Sequence, residues 1–486
     1  MSDASNAMAS SLSDRGNPSI MPYQKSQIDI NLSNHYRTKI YTSSSPVTGN
    51  VTITTKRDVR FDSVQILLMG HTKTRIDGVN SPHEVTHTFL KMVMPVPESA
   101  YPVPRVLEPG NTFTVPFNFV IPNQLTINAC NHKMQSDRLQ DHHVLLPPTM
   151  GRWGKDDMSP DMARVEYVIK ARVLRQDEVG EKNVRVMETC QSIHVLPASA
   201  EEPPLNITDQ DRLYAMRKTK SVRKNILSSK LGHLTAEAAQ PTPAVIRADA
   251  LQLVSPPTTQ VLLNFEPTSA DVVPPKITGI SGKITAHTFY SSGTIESFPN
   301  LGEWSQQFVV ERRGAYATSV SLPQVPTPKV RWSQHLNASP RRDSGYASDN
   351  NEQSDSASSS GSKTKTKHRR QPSRPTSLSP NYHTASVQIP VSLPVDKKTF
   401  IPTFHSCIAS RVYTMQLSLH VSVGSATSTV TLTVPLQIAV EAELGPSPEP
   451  ALPSFEEAEA DAHMRPRVLA VPDEQFRENS VLPGYA

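Results

Sequence analysis

From Tyr413 to Val421 the chain alternates without a break: Tyr413, Met415, Leu417, Leu419 and Val421 are separated by Thr414, Gln416, Ser418 and His420. Successive side chains of an extended strand point to opposite faces, so this pattern buries one apolar face only as a β-strand set against a second layer. A helix would spread the same residues around its axis. Gly424-Ser425 then offers a turn, and Val430, Leu432 and Val434 resume the register, which predicts a hairpin.

The same signature recurs towards the N-terminus. Val165, Tyr167, Ile169, Ala171 and Val173 alternate with Glu166, Lys170 and Arg172, interrupted only by Val168. Val51 with Ile53, then Val64, Ile66 and Leu68, repeat the period, and Pro109-Gly110 marks a turn before Phe113, Val115, Phe117 and Phe119. Short alternating runs divided by Pro, Gly, Asn and Ser clusters describe a β-sandwich ending near Leu196-Pro197. The pattern stops over 200–240, where Arg217, Lys218, Lys220, Arg223, Lys224 and Lys230 occur with no acid among them, and resumes at Gln260–Phe265 and Ile277–Thr288. The expected architecture is all-β: two tandem antiparallel sandwich lobes, 22–199 and 241–445, joined by a basic linker at 200–240.

Composition sets the limits of that core. The 486 residues are 37% hydrophobic and include 43 prolines, so part of the length is expected to lie outside compact units. Residues 1–21, a Ser-rich insertion at 337–380 and a tail at 446–486 are predicted to be disordered. Between Asn337 and Ser377 there is no Val, Ile, Leu, Met, Phe or Trp to offset the entropy of ordering.

A net charge of +4, from 49 basic and 45 acidic residues, gives no footprint for nucleic-acid binding. Three cysteines, Cys130, Cys190 and Cys407, make neither a disulfide framework nor a C-x-x-C pair. With no apolar run near membrane-spanning length and no leader-like N-terminus, a cytoplasmic protein is expected. G-x-S-x-G, Walker, G-x-G-x-x-G and H-E-x-x-H motifs are absent from the sequence, so no catalytic residue, cofactor or metal is assigned and the chain is read as non-enzymatic. His132, Asp141, His142 and His143 lack ligand spacing on a defined element and are read as a solvated loop.

Ser45-Pro46-Val47-Thr48-Gly49-Asn50-Val51, then Phe61-Asp62-Ser63-Val64-Gln65-Ile66 and Gly70, resemble the opening strands of the arrestin N-lobe. Leu107-Glu108-Pro109-Gly110 and Pro116-Phe117-Asn118-Phe119-Val120-Ile121-Pro122 are similar to that family's L-x-P-G turn and P-F-x-F strand. Pro402-Thr403-Phe404-His405-Ser406-Cys407-Ile408 through Arg411-Val412-Tyr413 resembles the C-lobe of fungal arrestin-like proteins, the arrestin-related trafficking adaptors. The resemblance implies an adaptor that recruits a WW-domain HECT-type ubiquitin ligase to plasma-membrane transporters or receptors for endocytosis. The alternative is a signalling scaffold that binds a receptor tail without a ligase.

Several short motifs suit such a role. Leu482, Pro483 and Tyr485 form L-P-x-Y, and Leu452, Pro453 and Phe455 form L-P-x-F, both variants of the P-P-x-Y peptide that WW domains grip in polyproline II form. The motifs are separated by a coil spanning roughly 30 Å, so tandem WW domains could engage both. In the Ser-rich insertion, Arg341-Arg342-Asp343-Ser344 fits a basophilic kinase site and Arg370-Gln371-Pro372-Ser373-Arg374-Pro375 a 14-3-3 docking site, with Ser377 a further phosphorylation candidate. Lys218, Lys220, Lys224 and Lys230, with Lys363, Lys365 and Lys367, are candidate ubiquitin acceptors or contacts to anionic lipid, the latter allowing peripheral membrane binding only. Recruitment to plasma membrane and endosomes is expected on the same grounds.

Overall fold

The computed structural model describes residues 26–441 except 78–80, 178–182, 200–213, 226–227, 250–251, 300–303, 305–312, 324–328 and 337–380. These residues lie in one of the two units into which the chain divides, Met1–Ala442; the other is Glu443–Ala486.

The fold is all-β, as the alternation predicts. In the first lobe, Gln27–Leu32, Pro46–Thr54 and Thr112–Val120 form a three-stranded antiparallel sheet. A five-stranded sheet runs in the order Ile40–Tyr41, Asn183–Val195, Ala163–Gln176, Ser63–Asp77 and Pro82–Met94. Val51, Ile53, Val115, Phe117 and Phe119 from the first sheet share one buried cluster with Val64, Ile66, Leu68, Val165, Tyr167 and Ile169 from the second, which makes the pair a sandwich. The polar face of Ala163–Gln176 is handled by charge pairing, with Lys170 and Arg172 meeting Glu188 at 3.6 and 2.6 Å. Glu166, which is buried, is held by Lys73 at 2.6 Å and Arg152 at 2.8 Å. Burial alone would raise its pKa, and the bonds and charges of Lys73 and Arg152 outweigh that and lower it.

The second lobe repeats the plan with larger sheets. One runs in the order Arg217–Arg223, Lys230–Ala238, Thr258–Pro267, Asn381–Pro390 and Ser333–Leu336; the other joins Arg313–Ser321, Lys276–Ser291 and Ala409–Val423, against which both Phe404–His405 and Ala426–Leu436 pair. The hairpin foreseen at Gly424-Ser425 is present, with Val423 opposite Ala426 and Gly424 at φ 59, a conformation that favours glycine.

Here the structure corrects the linker reading. Within 200–240, Arg217–Arg223 and Lys230–Ala238 are paired strands of the second lobe. Val222, Leu234, Ala236 and Ala238 are buried while Lys218, Lys220, Lys224 and Lys230 are exposed. Arg217–Arg223 is an edge strand, and cationic side chains on an edge deter pairing with another chain, which is why so basic a segment is compatible with a sheet.

The two cores interpenetrate. Tyr290, Ile401, Phe404 and Ala409, from the second lobe's part of the chain, are buried in the first lobe's cluster, and Met158 and Leu196 are buried in the second's. Trp153 packs against both. The junction is therefore packed like a protein interior, with the resistance to deformation that implies.

Candidate functional site at the junction of the two sandwiches

The first polar centre of the junction is Arg411. It lies on Ala409–Val423 just before the clean alternation begins, and it is 0% exposed. Its Nε donates to Thr288 Oγ1 at 2.9 Å within its own lobe. Across the junction, one terminal nitrogen donates to the Asp157 carbonyl at 3.0 Å and the other to Ser159 Oγ at 2.7 Å. A planar guanidinium serves acceptors in several directions at once, which a lysine could not. The loop it grips is itself braced: Asp157 Oδ2 accepts from the Gly151 amide at 2.7 Å, Lys398 pairs with Asp156, and the Thr399 amide donates to the Asp156 carbonyl at 3.0 Å. The hydrogen bond from Lys398 is the main reason that the Asp156 carboxyl has a lowered pKa.

The second centre is a cluster of cysteine and histidine. Cys130 follows the short 3-10 turn Ile127–Ala129, His132 lies two residues on, and His143 ends the helix Asp137–His143. Ser136 caps that helix by accepting from the Leu139 amide at 3.3 Å, and the Gln135 amide donates to the Glu296 carbonyl of the second lobe at 2.9 Å. Cys407 comes from the second lobe, in the turn between Phe404–His405 and Ala409–Val423. That turn is closed by Ser406, whose amide and hydroxyl both donate to the Ala409 carbonyl at 2.8 Å.

Cys130 Sγ lies 3.7 Å from Cys407 Sγ, 3.5 Å from His143 Nδ1 and 3.4 Å from His132 Nδ1. Cys130, His143 and Cys407 are buried, His132 is half-buried, and Val85, Met134 and Ile408 close around them. Burial, helped by the charges of His132, His142 and His87, holds the His143 pKa down to about 4, so its ring is neutral and offers a lone pair at physiological pH. Its Nε2 is buried without a hydrogen-bond partner. Burial also raises the Cys407 thiol, and the neighbouring Cys130 adds to that.

This corrects the solvated-loop reading of His132, His142 and His143. His142 and His143 are buried at the C-terminal end of a helix, with His142 packed edge-on to His405 at 5.3 Å. Sequence reasoning missed the cluster because its fourth member, Cys407, is 277 residues from Cys130. The only local signal was C-x-H at Cys130 and His132. Arg411 carried a clearer one, a charge just upstream of the chain's most regular strand.

Most sequence-derived candidates lie elsewhere. Leu452, Pro453, Phe455, Leu482, Pro483, Tyr485, Ser344, Ser373, Ser377, Lys363, Lys365 and Lys367 fall outside the described residues. Lys218, Lys220, Lys224 and Lys230 stand together around one edge of the second lobe, where Lys220 Nζ also donates to the Thr429 carbonyl at 2.9 Å. The structure does not bring these lysines to the Arg411 or Cys-His centres. No described helix is long and apolar enough to cross a membrane.

The double sandwich and its packed junction define a class, the tandem all-β sandwich with a shared interior. Comparison with family models points the same way: residues 320–440 match the family described as the Bul1 C terminus. The match covers the latter part of the second lobe and supports an arrestin-like adaptor family. Among curated proteins no match is found.

Proposed function

We propose that the chain is a non-enzymatic adaptor that recruits a WW-domain HECT-type ubiquitin ligase to plasma-membrane transporters or receptors and so promotes their ubiquitin-dependent endocytosis. The observation that carries the reading is the match of residues 320–440 to the Bul1 C-terminal family within a tandem sandwich. Ligase docking falls to the tail, through Leu482, Pro483 and Tyr485, with Leu452, Pro453 and Phe455 as a weaker second contact. The exposed Lys218, Lys220, Lys224 and Lys230 are available as ubiquitin acceptors or as a contact for anionic lipid. Phosphorylation at Ser344, Ser373 or Ser377 would regulate the adaptor, with Ser373 as a 14-3-3 docking site. The protein then works in the cytoplasm, moving to plasma membrane and endosomes with its cargo.

Affinity purification of the intact chain beside a version lacking 446–486 tests the reading. A HECT ligase recovered with the intact chain and lost with the truncation is expected. A receptor recovered equally by both, with no ligase, would favour a signalling scaffold.

A further inference from the structure

The Cys-His cluster has a composition and a spacing that ordinary core packing does not require. Four tetrahedral bonds of about 2.3 Å to sulfur and about 2.0–2.1 Å to nitrogen set sulfurs about 3.8 Å apart and sulfur about 3.6 Å from nitrogen. Here Cys130 Sγ lies 3.7 Å from Cys407 Sγ, 3.5 Å from His143 Nδ1 and 3.4 Å from His132 Nδ1. The ligand atoms of all four residues lie within 4.8 Å of one another. The three edges from Cys130 match those of a single coordination tetrahedron, and the other three, none longer than 4.8 Å, close to tetrahedral length with small side-chain shifts.

We propose that Cys130, His132, His143 and Cys407 bind one Zn²⁺ ion that ties the two lobes together. Two thiolates and two imidazoles suit zinc and disfavour calcium or magnesium, which take oxygen ligands. With all four positions filled by protein, the site is structural, because no place is left for water or substrate. On binding, Cys130 and Cys407 each release a proton to solvent and bond the metal as thiolates, while the two imidazoles bind neutral through ring lone pairs. The two negative charges balance the ion, so the buried site is neutral overall.

The scaffold is consistent with a fixed site. His143 is positioned by a capped helix and Cys407 by the turn that Ser406 closes, and the Ile295 amide donates to the Cys407 carbonyl at 2.7 Å. Three ligands come from the first lobe and one from the second, so the ion would cross-link positions 277 residues apart. A cross-link of that length removes much of the freedom of the unfolded chain, so metal loss should loosen the junction first. The inference stands independently of the adaptor reading.

The test uses the full-length, tag-free protein purified without chelator or added reductant. Elemental analysis should find one zinc per chain, retained through dialysis, and Co²⁺ exchange should give the visible absorption of tetrahedral cobalt with thiolate charge transfer. A thiol-alkylating reagent should label only the exposed Cys190, until a strong chelator also opens Cys130 and Cys407. Cys407→Ser and His143→Ala should lose the metal, whereas Cys190→Ser should keep it. Wild-type protein without stoichiometric zinc and without the cobalt spectrum would overturn the proposal, however the variants fold. So would a Cys130–Cys407 disulfide in the protein as isolated, seen as a mass two hydrogens lighter.

Discussion

Replacing Arg411 by methionine separates the junction's hydrogen bonds from its packing, since methionine has similar reach but no donor. Three of the guanidinium's bonds are 3.0 Å or shorter, to Thr288 Oγ1, the Asp157 carbonyl and Ser159 Oγ. Each buried group left without a partner costs about 1–3 kcal/mol, which sums to about 3–9 kcal/mol. The two hydroxyls can rotate towards other acceptors, and the variant no longer has to bury a cation, so the low end applies, about 3 kcal/mol. At about 2.1 cal/mol/K of unfolding entropy per residue over the roughly 330 described residues, that corresponds to a thermal midpoint lower by roughly 4 °C. Because two of the three bonds cross to the Asp157–Ser159 segment, limited proteolysis should also cleave the junction sooner. Arg411→Lys should recover little, since one ammonium cannot reach acceptors lying in different directions. The measurement is a thermal melt of the three proteins at matched concentration. A midpoint for Arg411→Met within about 1 °C of wild type would refute the reasoning, because it would mean the junction's polar groups do not depend on the guanidinium.

Three further outcomes are expected. His287, hydrogen-bonded to Thr414 Oγ1 at 3.0 Å, has its pKa lowered to about 4 by burial and by Arg411. The unfolded chain takes up that proton below about 6.5 and the folded chain only near 4, so stability is complete above 6.5 and falls as pH drops towards 4, by on the order of 3 kcal/mol; denaturant melts at pH 7 and pH 5 should show the loss begin, and His287→Gln should reduce it. Gly424→Val should cost about 1–2 kcal/mol in the same melts, since the backbone there is left-handed while the nearest atom to a new Cβ, Lys224 Cγ, is an unstrained 3.5 Å away. Leu336 pairs directly with Asn381, so the ends flanking 337–380 are already adjacent, and replacing that segment with a two-residue Asn-Gly turn should leave the thermal midpoint within about 2 °C of wild type.

The sequence revealed those strands whose two faces meet different surroundings. Val165 to Val173 and Tyr413 to Val421 alternate because one face is core and the other is polar, and both fall inside the observed strands Ala163–Gln176 and Ala409–Val423. Arg217–Arg223 escaped notice because an edge strand contributes one fully buried residue, Val222, among exposed cations. Its neighbour Lys230–Ala238 packs through Leu234, Ala236 and Ala238, and two small alanines leave a weak apolar signal. The junction was illegible for a different reason. Arg411 and Cys407 acquire their roles only when the second lobe docks on the 151–162 loop and the Asp137–His143 helix, and no local periodicity records a contact spanning some 250 residues. The tail motifs lie outside the described residues; a short linear peptide of the kind proposed there is recognised without a tertiary partner within the chain, so sequence is the place to look for it.

Ligase docking, the step that separates the proposed adaptor from a signalling scaffold, rests most directly on Tyr485, and calorimetric titration of a tandem WW fragment into the full-length protein tests it. Wild type should bind, Tyr485→Ala should lose most of the affinity, and Phe455→Ala should lose less, because tyrosine supplies both the ring and the hydroxyl its pocket accepts. Tyr485→Ala binding as tightly as wild type would contradict the account and leave the signalling scaffold as the better reading of the same fold.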